Sequence, residues 1–179
     1  MSTSPSSFPL WTKGRYYDDF EEGQEFEHHW GRTLSAYDST LFSSLTLHYV
    51  PLYLNAEWAE AHGRPRELIN PYLVFLLVLG MSVEDTSEGV DGAEGAFLGV
   101  KQVEHLADVV AGDTITARTT VVAKRESGSR PHAGIVTWRT TGRNQRGEDV
   151  LRFERTNLTS RRPEHESFDR LDVESVRSA

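Results

Sequence analysis

The 179-residue sequence has no cysteine. That excludes disulfides, zinc–thiolate centres and thiol nucleophiles. It also lacks an excess of positive charge. Nineteen Lys and Arg stand against 27 Asp and Glu, for a net charge of −8. A duplex nucleic acid or an anionic membrane surface would need a basic stripe, and none is present. No apolar run is long enough for a bilayer. The longest, "PYLVFLLVLGM" at 71–81, has eleven residues. The start, "MSTSPSSFPLWTKG", has neither the basic head nor the apolar stretch of a signal peptide, so the cytoplasm is the expected location. Phosphate-binding glycine motifs, G-x-S-x-G elbows and H-E-x-x-H are all missing.

What is there suits one domain with one sizeable core. Residues 1–13 are Ser/Pro-rich and read as a loose arm. Residues 14–160 form the body, and the polar stretch 161–179 reads as a tail. "EFEHHWGRTL" (25–34) reads as a strand. A helix follows over 35–48, capped by Ser35 with Asp38, and its apolar face is Leu41, Phe42 and Leu45. "NAEWAEAHG" (55–63) is a short helix with an Asn cap and a Gly stop. "NPYLVFLLVLGMSVED" (70–85) begins with Asn70 as N-cap and Pro71 at the first helical position. Its body is apolar on all sides, the mark of a helix covered by other elements. "DTSEGVDGAEG" is a connection without the acid spacing of a calcium loop. Strands are expected at 97–107, 113–124, 133–144 and 148–159, with "NQRG" (144–147) as a tight hairpin. One early strand, three helices and a run of long strands make an α+β fold, a buried helix against a curved antiparallel sheet. One such sheet leaves an edge and a face uncovered. A homodimer or a larger even-numbered assembly is therefore expected.

Two stretches carry a family resemblance, "LTLHYVPLYLNAEWA" (45–59) and "VVAGDTITAR" (109–118). They resemble the MaoC-like dehydratases, or R-specific enoyl-CoA hydratases, of the hotdog fold. "GRYYDDFEEGQ", "RESGSRPHAGIVT" and "NQRGEDVLRFERT" are most similar to the branch of mesaconyl-CoA and itaconyl-CoA hydratases. The resemblance covers about residues 14–160. It implies a single hotdog domain, a long antiparallel sheet wrapped around a central helix, and a coenzyme A thioester as substrate with no further cofactor. The family's site pattern is Asp-x-Asn-Pro-x-His. The matching positions here are His48, Val50, Pro51 and Tyr53, so only the proline is shared. The family also uses a His-Gly turn whose glycine N–H polarises the thioester carbonyl. Asn70 and Pro71 occupy that place, and proline has no N–H.

His48 and Tyr53 could form a proton-transfer pair, with imidazole as base and phenol as donor. The plainer alternative is a buried His–Tyr contact. Asn70 could replace the lost backbone donor with its side-chain amide, or simply cap its helix. Lys124, Arg125 and Arg130, with Ser127, could hold a coenzyme A phosphate. Arg64 and Arg66 could pair a second carboxylate on the acyl group. His28 and His29 alternate along a strand and point to opposite faces, so they make no metal site. Three classes of function remain open: a hydratase or dehydratase of a short or branched, including dicarboxylic, enoyl-CoA; a non-catalytic subunit beside a homologous MaoC-like partner; and an acyl-CoA-binding protein without turnover.

Overall fold

The computed structural model describes residues 15–86 and 96–162. The expected N-terminal arm, most of the C-terminal tail and most of the Gly/acid connection lie outside the described residues. A 3-10 turn at Tyr17–Asp19 leads into β1 (Glu25–Thr33), α1 (Ala36–Leu45), a second 3-10 turn at Pro51–Tyr53, α2 (Ala56–Ala61) and α3 (Pro71–Thr86). Four long strands follow: β2 (Ala96–His105), β3 (Thr114–Glu126), β4 (Ala133–Arg143) and β5 (Asp149–Ser160). All pair antiparallel in one sheet of order β1-β3-β4-β5-β2.

The sixteen-residue α3 lies on one face of this sheet. Val74, Val78 and Met81 pack against Ile115, Ala117, Leu151 and Phe153. Val78 fits so closely over β4 that a Cβ on Gly142 would lie 2.6 Å from its Cγ2. Beyond the C-terminal end of α3 the same face carries a second cluster. Tyr17, Phe20 and Phe26 cover Val121, Val136 and Trp138. Between the clusters run buried polar groups. His28 bonds Asp85 Oδ2 at 2.6 Å and Thr119 Oγ1 at 2.7 Å. Arg155 stacks on Trp138, bonds Thr86 Oγ1, and is pushed down to about 10 by burial. His29 is exposed, so the two adjacent histidines do face opposite sides of β1.

Ser35 and Asp38 form the expected capping box, and Asn55 Oδ1 accepts from Trp58 N–H as the cap of α2. Two features of α1 differ from the sequence reading. The helix stops at Leu45 rather than running to 48, because Leu47 turns to a φ of 58°. Leu47 N–H then bonds Ser44 O, and His48 N–H bonds Ser43 O at 2.8 Å. This is a Schellman ending with leucine where glycine usually stands. The inward face also differs. Ser39 and Ser43, four residues apart, are the buried pair, while Leu41 and Leu45 point outward. The hydroxyls are drawn inward by buried polar groups at the start of α3, which need partners.

The sheet covers one side of α3. Its other side presents Tyr72 and Leu76. The outward stripe of α1 is exposed as well.

Candidate active site

The segment after α1, the 3-10 turn at Pro51–Tyr53 and the first turn of α3 meet at one end of the sheet. The start of α3 is tied down by Ile69 N–H to Val109 O at 2.8 Å, and Leu68 N–H to Leu52 O at 3.0 Å. Asn70 sits at the centre and is fully buried. Its backbone N–H donates to Ser39 Oγ at 2.9 Å. Its side-chain Oδ1 accepts from Tyr72 N–H at 3.0 Å, which caps α3. Its Nδ2 donates to Ser43 Oγ at 2.9 Å and to His48 Nδ1 at 3.0 Å.

The imidazole of His48 is half-buried and close to two phenol rings. Tyr53 is 5.5 Å away between ring centroids and Tyr72 is 5.2 Å away. Burial raises the Tyr53 phenol above its usual range, and the neighbouring Tyr72 and the Asp108 charge add to this. Tyr53 is therefore a proton donor at neutral pH, not a phenolate. Asp108 is in turn held by Arg64. Arg66 donates to Ala111 O at 3.4 Å.

His48, Tyr53 and Asn70 are thus brought together as the sequence suggests. The roles available to Asn70 are narrower than expected. Both of its amide hydrogens are engaged, and so is the Tyr72 N–H beyond Pro71. Neither is left to hold a thioester oxygen.

The sequence model of mesaconyl-CoA hydratases matches residues 10–174. The chain belongs to the mesaconyl-CoA hydratase family. A family relative from Haloarcula hispanica, a mesaconyl-CoA hydratase, is 38% identical over 84% of this chain but only 41% of its own length. The chain thus spans well under half of that curated relative. Among solved structures, a MaoC-like dehydratase from Rhodospirillum rubrum is 25% identical, with a TM-score of 0.73 over 84% of this chain and 99% of that one. A Mycobacterium tuberculosis protein described as a double hotdog fold is 27% identical, with a TM-score of 0.73 over 86% of this chain and 46% of that one. The MaoC-like resemblance and the hotdog fold are both borne out.

Within this hydratase-family chain, the cations read from the sequence lie elsewhere. β3 starts beside the site, where Leu34 N–H bonds Asp113 O, and runs away from it. Lys124 is ten residues along, roughly 33 Å at strand spacing. Its ammonium donates to Phe20 O at 2.7 Å and lies over the Tyr17 ring. Arg125 bonds Glu126 O, and the Arg130 N–H bonds Ser127 Oγ. The chain does not bring these three to its own His48. Sequence reasoning missed Ser39, Ser43 and the Tyr72 ring. The one available signal was the i, i+4 spacing of two small polar residues on α1. Among the described residues, no group of three or more His, Asp or Glu could hold a metal ion. No described helix is long and apolar enough to cross a membrane.

Proposed function

We propose that this chain is one hotdog unit of a hydratase or dehydratase for short or branched acyl-CoA thioesters, dicarboxylic ones included. The observation that carries this is the meeting of His48, Tyr53 and Asn70 at the start of α3 in a chain of the mesaconyl-CoA hydratase family. Hydration places the hydroxyl of water on the β-carbon and a proton on the α-carbon. In between, negative charge gathers on the thioester oxygen, so the cleft must offer hydrogen-bond donors there. His48 and Tyr53 are half-buried polar groups next to a helix N-terminus, where such charge is favoured. Arg64, paired with Asp108, whose charge is felt by Tyr53, is a cation for a second carboxylate.

The unit works in a pair, as a homodimer or beside a homologous MaoC-like subunit. The chain spans 46% of a double-hotdog protein, so a second unit would fill the place of that protein's other half. The uncovered apolar face borders the site. It is built from Tyr37, Leu41 and Leu45 at i, i+4 and i+8, together with Leu47, Tyr49, Tyr72 and Leu76.

The test is turnover of mesaconyl-CoA, crotonyl-CoA and 3-hydroxyacyl-CoA, by the purified chain and by the chain co-expressed with a homologous unit. Activity of the chain alone supports a self-sufficient homo-oligomer. Activity only with the partner supports the shared site. Acyl-CoA binding with no turnover in either preparation would overturn the hydratase reading.

A further inference from the structure

The orientation of the Asn70 amide can be deduced from its neighbours. A backbone N–H only donates, so the amide atom 3.0 Å from Tyr72 N must be the oxygen. The amide nitrogen then faces Ser43 Oγ and His48 Nδ1. Flipping the amide would set two donors against each other at Tyr72. With Asn70 donating to it, Nδ1 must present its lone pair, and the ring proton belongs on the other nitrogen. Nε2, across the ring from buried Asn70, has no hydrogen-bond partner among the described residues.

We infer that His48 is held by Asn70 as a neutral, Nε2-protonated imidazole whose N–H binds the thioester oxygen of the substrate. This rests on the hydratase reading above and reverses the base role that the sequence suggests for His48. Three observations make the assignment. Pro71 has no N–H, Tyr72 N–H is spent on the cap, and both Asn70 hydrogens are spent on Ser43 and His48. Nε2–H is a donor still unspent in this cluster, and Tyr53, protonated and adjacent, is placed to be a second. As the water oxygen bonds the β-carbon, the C=C π pair moves towards the thioester oxygen, and Nε2–H hydrogen-bonds that enolate and keeps its own proton. The proton that water loses is the one the α-carbon gains, so the enolate collapses to the 3-hydroxyacyl thioester with atoms and charge conserved, and the reverse sequence serves dehydration.

Two substitutions separate donor from base. Asn70→Asp has nearly the same shape and keeps an oxygen for the Tyr72 cap, but its second oxygen accepts from Nδ1–H and strips the proton from Nε2. His48→Gln removes the imidazole yet can offer an amide N–H near the Nε2 position. If His48 is the donor, Asn70→Asp should cost about as much as His48→Ala, roughly 10²–10³ in rate, while His48→Gln should stay within about tenfold of wild type. If His48 is the base, Asn70→Asp should preserve or raise the rate and His48→Gln should abolish it, and the inference falls.

Two readouts do not require turnover. Long-range ¹H–¹⁵N correlation should show the Nε2–H tautomer for His48 and its change to Nδ1–H in Asn70→Asp. A Nδ1–H tautomer in wild type overturns the assignment. Infrared difference spectra with butyryl-CoA, ¹³C-labelled at the carbonyl, should show a lowered C=O stretch that His48→Ala reverses and His48→Gln largely keeps. Binding with an unshifted band sinks the donor role alone. Failure of both the chain alone and its co-expressed pair to bind any acyl-CoA sinks the hydratase reading with it.

Discussion

Leu47 adopts a backbone conformation, φ 58°, that a non-glycine residue holds at a cost of about 1–3 kcal/mol. Its side chain is 73% exposed and returns little of that through packing within the chain itself. The strain has a positional use, because the Schellman turn places His48 immediately after it and aims the ring at Asn70. Leu47→Gly should therefore raise the melting temperature by a few degrees, net of the added unfolded-state entropy. Leu47→Val, β-branched, should lower it; calorimetry on the two variants decides. Tyr53 supports a second residue-scale expectation. Its phenol stays protonated, so Tyr53→Phe should lower kcat by about 10–10² while leaving acyl-CoA affinity within a few-fold; a loss confined to KM would count against a donor role. At this scale the sequence was partly legible. His48, Tyr53 and Asn70 were found by their places in a family pattern. The bond between residues 48 and 70 was not, since it depends on how a Schellman turn and a helix cap meet in space.

The contact of α3 with β4 at Gly142 is close. A methyl on Gly142 would press on Val78, which is fully buried. Overpacking of this kind costs about 1–3 kcal/mol. Gly142→Ala should destabilise the chain by that amount, and Val78→Ala in the same chain should recover part of the loss. If the double mutant is simply the sum of the two singles, the contact is not as described. Elements were the most legible level. The strands predicted over 97–159 begin and end within two residues of those observed, because β-branched runs and the "NQRG" turn mark them plainly. The orientation of α1 was not legible. Leu41, Phe42 and Leu45 show that the helix has an apolar face, but a face turned toward a second unit gives the same pattern as one turned toward the chain's own core. Ser39 and Ser43 look like surface residues until the buried Asn70 is seen to need them.

Among the described residues, an exposed apolar face joins α1, the site segment and the outer side of α3. Leu41→Lys combined with Leu45→Lys would set two charges in the middle of that face. Sedimentation should show the wild-type chain as a dimer or larger even assembly, and the double variant as a monomer that keeps its far-ultraviolet dichroism. An unchanged assembly would mean that the units join elsewhere, for example along the exposed edge of β2. Stability is not uniform across the chain either. Asn70 closes the first turn of the long helix and also holds the imidazole, so a single transient opening undoes both. Fraying there is a local event, far smaller than loss of the sheet. Catalytic inactivation on warming should thus begin several degrees below the cooperative melt and reverse fully on cooling. The amide proton of Tyr72 should exchange with solvent deuterium much faster than those of β4, and its exchange rate would serve as a clock for the time the site spends switched off.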